Sequence, residues 1–300
     1  MNNPLKAVKT YIENTQQASD KPVCAYLYDL SKLKNHARAI KQSMPDNCEF
    51  FYAIKANSDL PILKTLSGIV DGFEVASTGE LDRVKTHFNQ TPAIFGGPGK
   101  TIEALEMAIG HVEFLHVESL LELRRVERIA KRRGVLVDIL LRVNLKRDDL
   151  PNTPMMMGGK PTAFGVDSTK VAEAIEAIKA CDHVRLRGFH FHLMSCQLDA
   201  TLHTRLLKAY FQTVKQWSID YQLDIDHINV GGGVGINYTD PDNAYDWAKF
   251  MSSVRALIEV EAMAAFRIRF EFGRFVTAAC GYYMMEVLDI KQNHGGTFVI

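Results

Sequence analysis

Short apolar runs alternate with amphipathic segments along most of the chain. The segments between the runs, such as SLLELRRVERIAKRRG and TKVAEAIEAIKAC, repeat apolar residues at helical spacing. Strands that alternate with helices in this way predict βαβ units and a parallel sheet covered on both faces. Eight runs favour a closed (β/α)8 barrel of the TIM type over an open sheet, and we place it at residues 30–275. The eight runs are EFFYAIKAN, DGFEVAS, PAIFGGPG, EFLHVES, VLVDILLRVNL, RLRGFHFHLMS, HINVGGGVG and IRFEFGRF.

The two ends of the chain depart from this pattern. Residues 1–29 hold a polar, helix-like segment and then, after Pro22, the strand VCAYLYDL. Residues 276–300 predict two strands and a glycine-rich turn with no helix between them, which is typical of an antiparallel sheet. We interpret this stretch as the beginning of a C-terminal β-domain, cut short after its second strand, with which the N-terminal strand associates.

A long segment, KRDDLPNTPMMMGGKPTAFG, follows the fifth barrel strand. Loops of this length in compact domains are usually functional or mobile.

Charge and cysteine usage narrow the class of protein. Lysine plus arginine and aspartate plus glutamate each number 35, so no global field draws the chain to nucleic acid or a membrane. The five cysteines form no CxxC pair, and an odd number argues against a disulfide framework. The first residues lack a signal-peptide core, and no run approaches the length of a membrane span. We therefore expect a cytoplasmic protein without nucleic-acid or membrane partners.

Polar residues gather where the predicted strands end. In a barrel of this type the carboxyl ends of the strands open onto one mouth, where active sites lie. The residues that we expect to converge there are Lys55, Arg142, His192, Ser195, Gly231, Gly232, Gly233, Glu271 and Arg274.

Lys55 ends the first barrel strand, in AIKAN. Burial lowers the pKa of a lysine amine, and a lysine that forms a Schiff base needs an uncharged amine. The alternative is a side chain that extends along the barrel rim to reach water.

Glu271 alternates with Phe270 and Phe272 on the last strand. A carboxylate between phenylalanines needs a partner. The partner is either a protonated ring nitrogen of a ligand or an arginine that closes the barrel.

Three consecutive glycines, Gly231 to Gly233, follow the seventh strand. Exposed backbone N–H groups in such a run suit a phosphate. The spacing matches neither a dinucleotide loop nor a nucleoside-triphosphate loop, and a tight turn with positive φ would also use glycine.

His190 and His192 share one face of the sixth strand. This spacing suits zinc, but no third ligand stands at a recognisable spacing, so we predict no metal. A histidine stacked on a flat ligand or a hydrogen-bonded core histidine fits better. Arg142 is either a positioning group or one half of a salt bridge at the barrel top.

The order of these segments resembles a known family. YAIKAN, GFEVASTGEL, LLRVNL, the FG of TAFGVD, GFHFHLMS, NVGGGVG and EFGRF resemble, in sequence, the fold-type III pyridoxal-phosphate decarboxylases of the ornithine and diaminopimelate group. The likeness runs from about Pro22 to the C-terminus and implies an alanine racemase-like barrel. MMMGGKPTAFGVD and GFHFHLMSCQLDA resemble the branch that serves carboxylate-type siderophore biosynthesis.

The resemblance implies a role for each matching residue. Lys55 is expected to form the Schiff base with pyridoxal 5'-phosphate, His192 to stack on its ring, and Glu271 to pair with the ring nitrogen. Arg142 is expected near the ring hydroxyl. The phosphate is expected to contact Ser195, Gly231, Gly232, Gly233, Gly273 and Arg274.

Three departures from the family pattern stand out. Phe272 replaces the proline of the usual E-P-G-R motif, and Ala163 replaces the lysine or glutamine that often precedes FG. The cysteine, aspartate and tyrosine that the family's C-terminal domain contributes have no counterpart before Ile300.

The resemblance implies a decarboxylase that acts on an amino-acid-type substrate, including a citrate-linked conjugate, as a homodimer. Three alternatives stay open at this point. They are an amino-acid racemase on the same barrel, a carrier that binds the cofactor without turnover, and an inactive homologue that regulates through protein contacts.

Overall fold

A computed structural model describes residues 4–17, 22, 24–149, 156 and 158–300. Its helices are α1 (Pro4–Gln17), α2 (Leu30–Ser43), α3 (Leu60–Leu66), α4 (Thr78–His87), α5 (Ile102–Ala108), α6 (Leu120–Arg133), α7 (Val171–Lys179), α8 (Ala200–Asp220), α9 (Trp247–Val260) and α10 (Arg274–Thr277). Its strands are β1 (Cys24–Tyr28), β2 (Cys48–Ala53), β3 (Gly72–Val75), β4 (Ala93–Phe95), β5 (Phe114–Val117), β6 (Val137–Asn144), β7 (Val166–Asp167), β8 (Val184–His190), β9 (His227–Asn229), β10 (Arg267–Phe272), β11 (Gly281–Met285), β12 (Ile290–Asn293) and β13 (Gly296–Val299).

Eight parallel strands close into a barrel. Their order is β2, β3, β4, β5, β6, β8, β9 and β10, and β10 returns to pair with β2. Each of the eight predicted runs supplies one of these strands, so the (β/α)8 prediction is confirmed. The two-residue strand β7 extends the sheet beside β6 and was not predicted, because a pair of residues gives no periodic signal.

Helix α6 shows why the covering segments fold as they do. The Ser119 side chain caps its first turn by accepting a hydrogen bond from the Glu122 N–H, and Gly134 ends it in the left-handed conformation. Leu123, Val126 and Ala130 are buried in the core at helical spacing, while the basic residues of the last turn face the negative end of the helix dipole.

At the amino end of the barrel, the guanidinium of Arg269 lies on a layer of apolar side chains and closes the barrel. Phe51, Ile94, Phe114 and Leu140 form a buried cluster of their own. The Arg269 guanidinium lies 3.9 Å from the centre of the Phe51 ring and 2.7 Å from a Glu49 carboxylate oxygen. This closed end leaves the carboxyl ends of the strands as the place for a site.

The ends of the chain meet beside the barrel mouth. Strand β1 pairs antiparallel with β11, from Cys24 opposite Met285 to Tyr28 opposite Gly281, as expected for the N-terminal strand. The prediction of two strands in residues 276–300 is wrong, because three strands, β11 to β13, are present, and no helix lies between them. The apolar pattern of the sequence continues from β11 into β12. However, β12 pairs with β13 in a hairpin rather than with β11. Whether residues 276–300 open a separate domain stays a prediction.

Parts of two predicted segments lie outside the described residues. They are positions 1–3, 18–21 and 23 in the N-terminal segment, and 150–155 and 157 in the long segment after β6. Within the described ranges, no helix has the length and apolarity to cross a membrane.

Candidate active site

A cavity of about 300 Å³ opens at the carboxyl ends of the barrel strands. Gly231 and Gly232, which were predicted for the same site, form hydrogen bonds with the lining residues Glu271 and His192. Arg142 instead contacts Glu118 and Phe164, which are not part of the lining. The predicted site residues that line the cavity are Lys55, His192, Ser195, Gly233, Glu271, Gly273 and Arg274.

Lys55 lies in a single turn of 3-10 helix that follows β2. Its amine is 2.9 and 3.1 Å from the two carboxylate oxygens of Glu74, and its side chain is 55% exposed. Partial shielding of the amine from water is the largest influence and lowers the pKa of Lys55, but attraction to Glu74 and then Glu271 outweighs it and raises the pKa. The expectation of a lowered pKa is therefore wrong for the protein by itself, because the two carboxylates face the amine.

Glu74 is a site residue that sequence reasoning missed. It is fully buried on β3, and burial, opposed by Lys55, raises its pKa to about 7. Its signal was present in the sequence, because it stands between Phe73 and Val75 just as Glu271 stands between two phenylalanines. A carboxylate inside an apolar strand needs a partner, and here that partner is the Lys55 amine.

The Glu271 carboxylate is held from inside the barrel. It accepts a hydrogen bond of 2.8 Å from the Asn229 amide and lies 3.6 Å from His190 Nε2 and 3.8 Å from His116 Nδ1. Burial raises the pKa of Glu271, but His190, His116 and Lys55 outweigh this and lower it. Among the described residues no arginine pairs with Glu271, so the alternative of a barrel-closing Glu–Arg pair is wrong.

His116 and His190 form a buried pair beside Glu271. Their ring centres are 4.1 Å apart, and burial lowers the pKa of both, so the neutral forms are favoured. The three side chains bring ligand-type atoms within 4.8 Å of one another. The spacing of residues did not predict this third group, since His116 is on a strand distant along the chain. That the site uses no metal stays a prediction.

The glycine turn is built against His192. The Gly232 N–H donates to His192 Nδ1 at 3.3 Å, and the Gly231 N–H donates to the Asn229 side chain at 2.9 Å. Two of the three N–H groups expected to be exposed therefore already have partners within the protein. Gly231 and Gly233 have φ of 68° and 93°, so the tight-turn explanation holds, and a Cβ at Gly232 would lie 1.9 Å from the Glu271 carbonyl oxygen.

The remaining predicted groups have clear neighbours. Arg142 is buried, lies 2.8 Å from a Glu118 carboxylate oxygen and has its guanidinium 4.6 Å from the centre of the Phe164 ring. Glu118 also accepts hydrogen bonds from two loop N–H groups, so the salt-bridge alternative for Arg142 is present, and it fixes the guanidinium in one place. His192 lines the cavity, and burial lowers its pKa to about 3, which leaves a neutral ring suited to stacking.

Replacing Glu74 by glutamine should lower the pKa of Lys55, because Glu74 makes the largest contribution that raises it. More of the amine is then uncharged at neutral pH, so it should react faster with an aromatic aldehyde. The measurement is the rate of imine formation as a function of pH, where the midpoint of Glu74→Gln should move to lower pH. Glu106→Gln, which alters an exposed pair with Arg132, is the control. If the midpoint of Glu74→Gln equalled that of the control, Glu74 would not be raising the pKa of Lys55.

The groups around the cavity fit a phosphorylated aromatic aldehyde. Lys55 offers the amine, Glu271 a buried carboxylate for a ring nitrogen, and His192 a neutral ring for stacking. Gly233 lines the cavity, and a Cβ there would come within 2.5 Å of the Met194 carbonyl oxygen, so a larger residue does not fit at this position of the wall. A barrel with this mouth has the groups expected of an enzyme that anchors an aldehyde cofactor through a lysine.

Comparison with known proteins gives the family. Residues 30–278 match the model of the pyridoxal-dependent decarboxylase family, in its pyridoxal-binding domain. The chain therefore belongs to the pyridoxal-dependent decarboxylases. Its cofactor is pyridoxal phosphate, and its reaction class is decarboxylation rather than racemisation. The family, cofactor and reaction class expected from the sequence are confirmed.

Relatives and solved structures agree with this assignment. The chain is 43% identical over 297 residues to 2-[(L-alanin-3-ylcarbamoyl)methyl]-2-hydroxybutanedioate decarboxylase of Staphylococcus aureus, covering 99% of this chain and 74% of that protein. It is 31% identical over 284 residues to a Helicobacter pylori diaminopimelate decarboxylase, covering 92% and 67%. The crystal structure of a Helicobacter pylori diaminopimelate decarboxylase with L-lysine superposes with a TM-score of 0.83 at 27% identity, covering 96% of this chain and 72% of that one.

Proposed function

We propose that this protein removes the α-carboxyl group of an amino acid joined to a citrate-like acid, with Lys55, His192 and Glu271 as its catalytic residues. The observation that carries this proposal is that all three line one cavity at the mouth of a barrel of established family. The name of the staphylococcal relative, which describes a decarboxylase of an alanine unit amide-linked to a hydroxy tricarboxylic framework, supports the substrate class.

Each residue has a task that its surroundings support. Lys55 would hold the cofactor aldehyde through its amine, and Glu74 and Glu271 set the proton affinity of that amine. Glu271 would keep a proton on the ring nitrogen, His192 would pack on the ring, and Arg142, fixed by Glu118, would hold the ring hydroxyl. When bound, pyridoxal phosphate supplies an electron sink for the pair left by the departing carboxylate. The residues that would hold its phosphate are Ser195, Gly231, Gly232, Gly233, Gly273 and Arg274.

A second cavity of about 700 Å³ supports a substrate with a large polar arm. It shares Lys55, Ala56 and Arg274 with the first cavity, so a molecule held at Lys55 has room to extend into it. The tyrosine hydroxyl groups of its lining suit the hydroxyl and carboxylate oxygens of a citrate-like arm. Its lining includes five tyrosines, namely Tyr26, Tyr28, Tyr238, Tyr282 and Tyr283.

The substrate proposal is tested by a panel of carboxyl-labelled compounds given to the cofactor-loaded protein. We expect labelled carbon dioxide from the citrate amide of 2,3-diaminopropionate, and at least about 10²-fold less from diaminopimelate, the scale on which misplaced substrates lose rate. Equal release from diaminopimelate would overturn the substrate class while leaving decarboxylation intact.

A homodimer and a cytoplasmic location belong to the same proposal. The paired strands β1 and β11 expose Tyr26, Tyr283 and Met285, which is the kind of apolar surface that a second copy covers. All five cysteines are free, as suits a reducing compartment. Sedimentation velocity tests the association, and a strict monomer at working concentrations would contradict it.

A further inference from the structure

Lys100 is a buried lysine to which the proposed chemistry assigns no task. It lies in the loop after β4, and its side chain is 1% exposed. Its amine forms an ion pair of 2.6 Å with Oε1 of Glu122, a buried residue in the first turn of α6. The amine also donates a hydrogen bond of 2.5 Å to the Gly97 carbonyl oxygen. A buried ammonium group is costly unless a charge and hydrogen bonds compensate it, and these two contacts do so for Lys100.

Both partners of Lys100 hold Glu118. The Oε2 atom of Glu122 accepts a hydrogen bond of 2.8 Å from the Glu118 N–H, and the Gly97 N–H donates to Glu118 Oε1 at 2.7 Å. The Lys100 amine therefore closes a ring of contacts, which reaches the Glu118 backbone through Glu122 and the Glu118 carboxylate through Gly97. Because every member of the ring is tied to two others, the loop after β4 and the start of α6 fix the Glu118 side chain together.

Glu118 connects this ring to Arg142. Its Oε1 accepts a hydrogen bond of 2.8 Å from Arg142 Nη1, and its Oε2 accepts one of 3.0 Å from the Gly165 N–H. Phe164, the neighbour of Gly165, lies against the guanidinium, 4.6 Å from the ring centre. The position of the guanidinium and of the segment just before β7 therefore depends on where the Glu118 carboxylate lies.

The charges of this cluster balance in pairs. Lys100 and Arg142 are cations, Glu118 and Glu122 are anions, and all four residues are buried. Charges interact more strongly in a buried site than in water. Without the Lys100 amine, the two carboxylates would share Arg142 as their one cation within the cluster, and their mutual repulsion would favour a shift of Glu118.

We propose that Lys100 is a positioning residue for Arg142, which it fixes through Glu122, Gly97 and Glu118 in the orientation that holds the ring hydroxyl of the cofactor. The inference rests on the proposed role of Arg142 toward that hydroxyl. Lys100 is not among the residues that line the cavity, so its effect passes through Glu118. Outer residues orient the ligands of a metal in the same way.

The first test is a double-mutant cycle on the affinity of the full chain for pyridoxal phosphate. We expect Arg142→Met to weaken binding at least about 10-fold, the scale of a lost hydrogen bond to a charged group. Lys100→Met, which keeps an unbranched side chain, should weaken binding about 10-fold, the scale for residues that orient a ligand. Because Lys100 acts through Arg142, the double variant should bind no more weakly than Arg142→Met alone. Losses that multiply in the double variant would overturn the inference.

The second test needs no cofactor. The Gly97 and Gly165 N–H groups both donate to the Glu118 carboxylate, so their hydrogen exchange, followed by NMR in the unloaded protein, reports the position of that carboxylate. We expect exchange at both to rise in Lys100→Met. Wild-type exchange at Gly165 would overturn the inference. If exchange rises but Arg142→Met binds the cofactor as tightly as the wild type, the role proposed for Arg142 is wrong, whereas the positioning of its guanidinium by Lys100 is supported.

Two further variants separate positioning from loss of stability. Lys215→Met removes the cation from Glu261, a buried glutamate away from the site, and should leave cofactor affinity and exchange at Gly165 unchanged. An equal rise in exchange at Gly165 in Lys215→Met would show a loss of stability alone and overturn the inference. The combination of Lys100→Met with Glu122→Gln leaves no carboxylate without its cation, which covers the case in which Lys100→Met does not fold. It still lacks the contact with Gly97, so it should weaken binding in the same direction, and wild-type affinity in it would also overturn the inference.

Discussion

Lys55→Ala should remove the visible absorbance of the bound cofactor and lower decarboxylation by about 10³-fold or more, the scale expected when a covalent catalytic group is lost. Lys55 is the amine that lines the barrel cavity beside Glu271. The residues proposed to hold the phosphate are untouched, so weak non-covalent binding should persist. Absorbance titration with pyridoxal phosphate and turnover at saturating cofactor measure the two effects separately.

Lys55→Arg is the matched control for charge. A guanidinium keeps the positive charge beside Glu74, but it stays protonated and forms no bond with an aldehyde. Lys55→Arg should therefore retain the fold and lose turnover as fully as Lys55→Ala. Visible absorbance and turnover that survive in both variants would show that another amine anchors the cofactor.

Glu271→Gln should still bind the cofactor but turn over at least about 10²-fold more slowly, as expected for the loss of an electrostatic or acid–base group. The amide has nearly the shape of the carboxylate, but it carries no charge to keep a proton on the ring nitrogen. The measurement is kcat at saturating cofactor, together with the absorbance that reports cofactor occupancy.

Glu261→Gln provides the comparison for Glu271→Gln. Glu261 is also a buried, ion-paired glutamate, but its partner is Lys215 on the outer side of the barrel. Its replacement should leave kcat unchanged. If kcat of Glu271→Gln were unchanged at full cofactor occupancy, Glu271 would not be a catalytic residue.

The barrel was predictable because its signals are local. Each strand is an apolar run and each helix has its own periodicity and ends, so the count of eight follows from the chain in order. The pairing of β12 with β13 was not predictable in this way, because the apolar pattern shows no break where a strand changes partner. Strand β7 was missed for a simpler reason, since two residues carry no period.

The site was predictable where a polar residue interrupts an apolar run. Lys55 and Glu271 stood out for that reason, and Glu74 carried the same signal. Glu118 and Asn229 were missed because their roles come from the residues that they contact in the folded barrel. Glu118 reaches Arg142 from the neighbouring strand, and Asn229 reaches Glu271 from the strand beside it. Contacts between strands depend on barrel register, which a single sequence does not state.

We propose that this chain is a Lys55-dependent decarboxylase of a citrate-linked amino acid. The most direct test gives the cofactor-loaded protein the citrate amide of 2,3-diaminopropionate, labelled in the α-carboxyl group, in heavy water and analyses the products. We expect labelled carbon dioxide and an equal amount of an amine with one deuterium on the former α-carbon, both formed at least about 10³-fold more slowly by Lys55→Ala. Recovery of the intact amino acid, with its carboxyl group retained and deuterium at the α-carbon, would overturn this proposal and show racemisation instead.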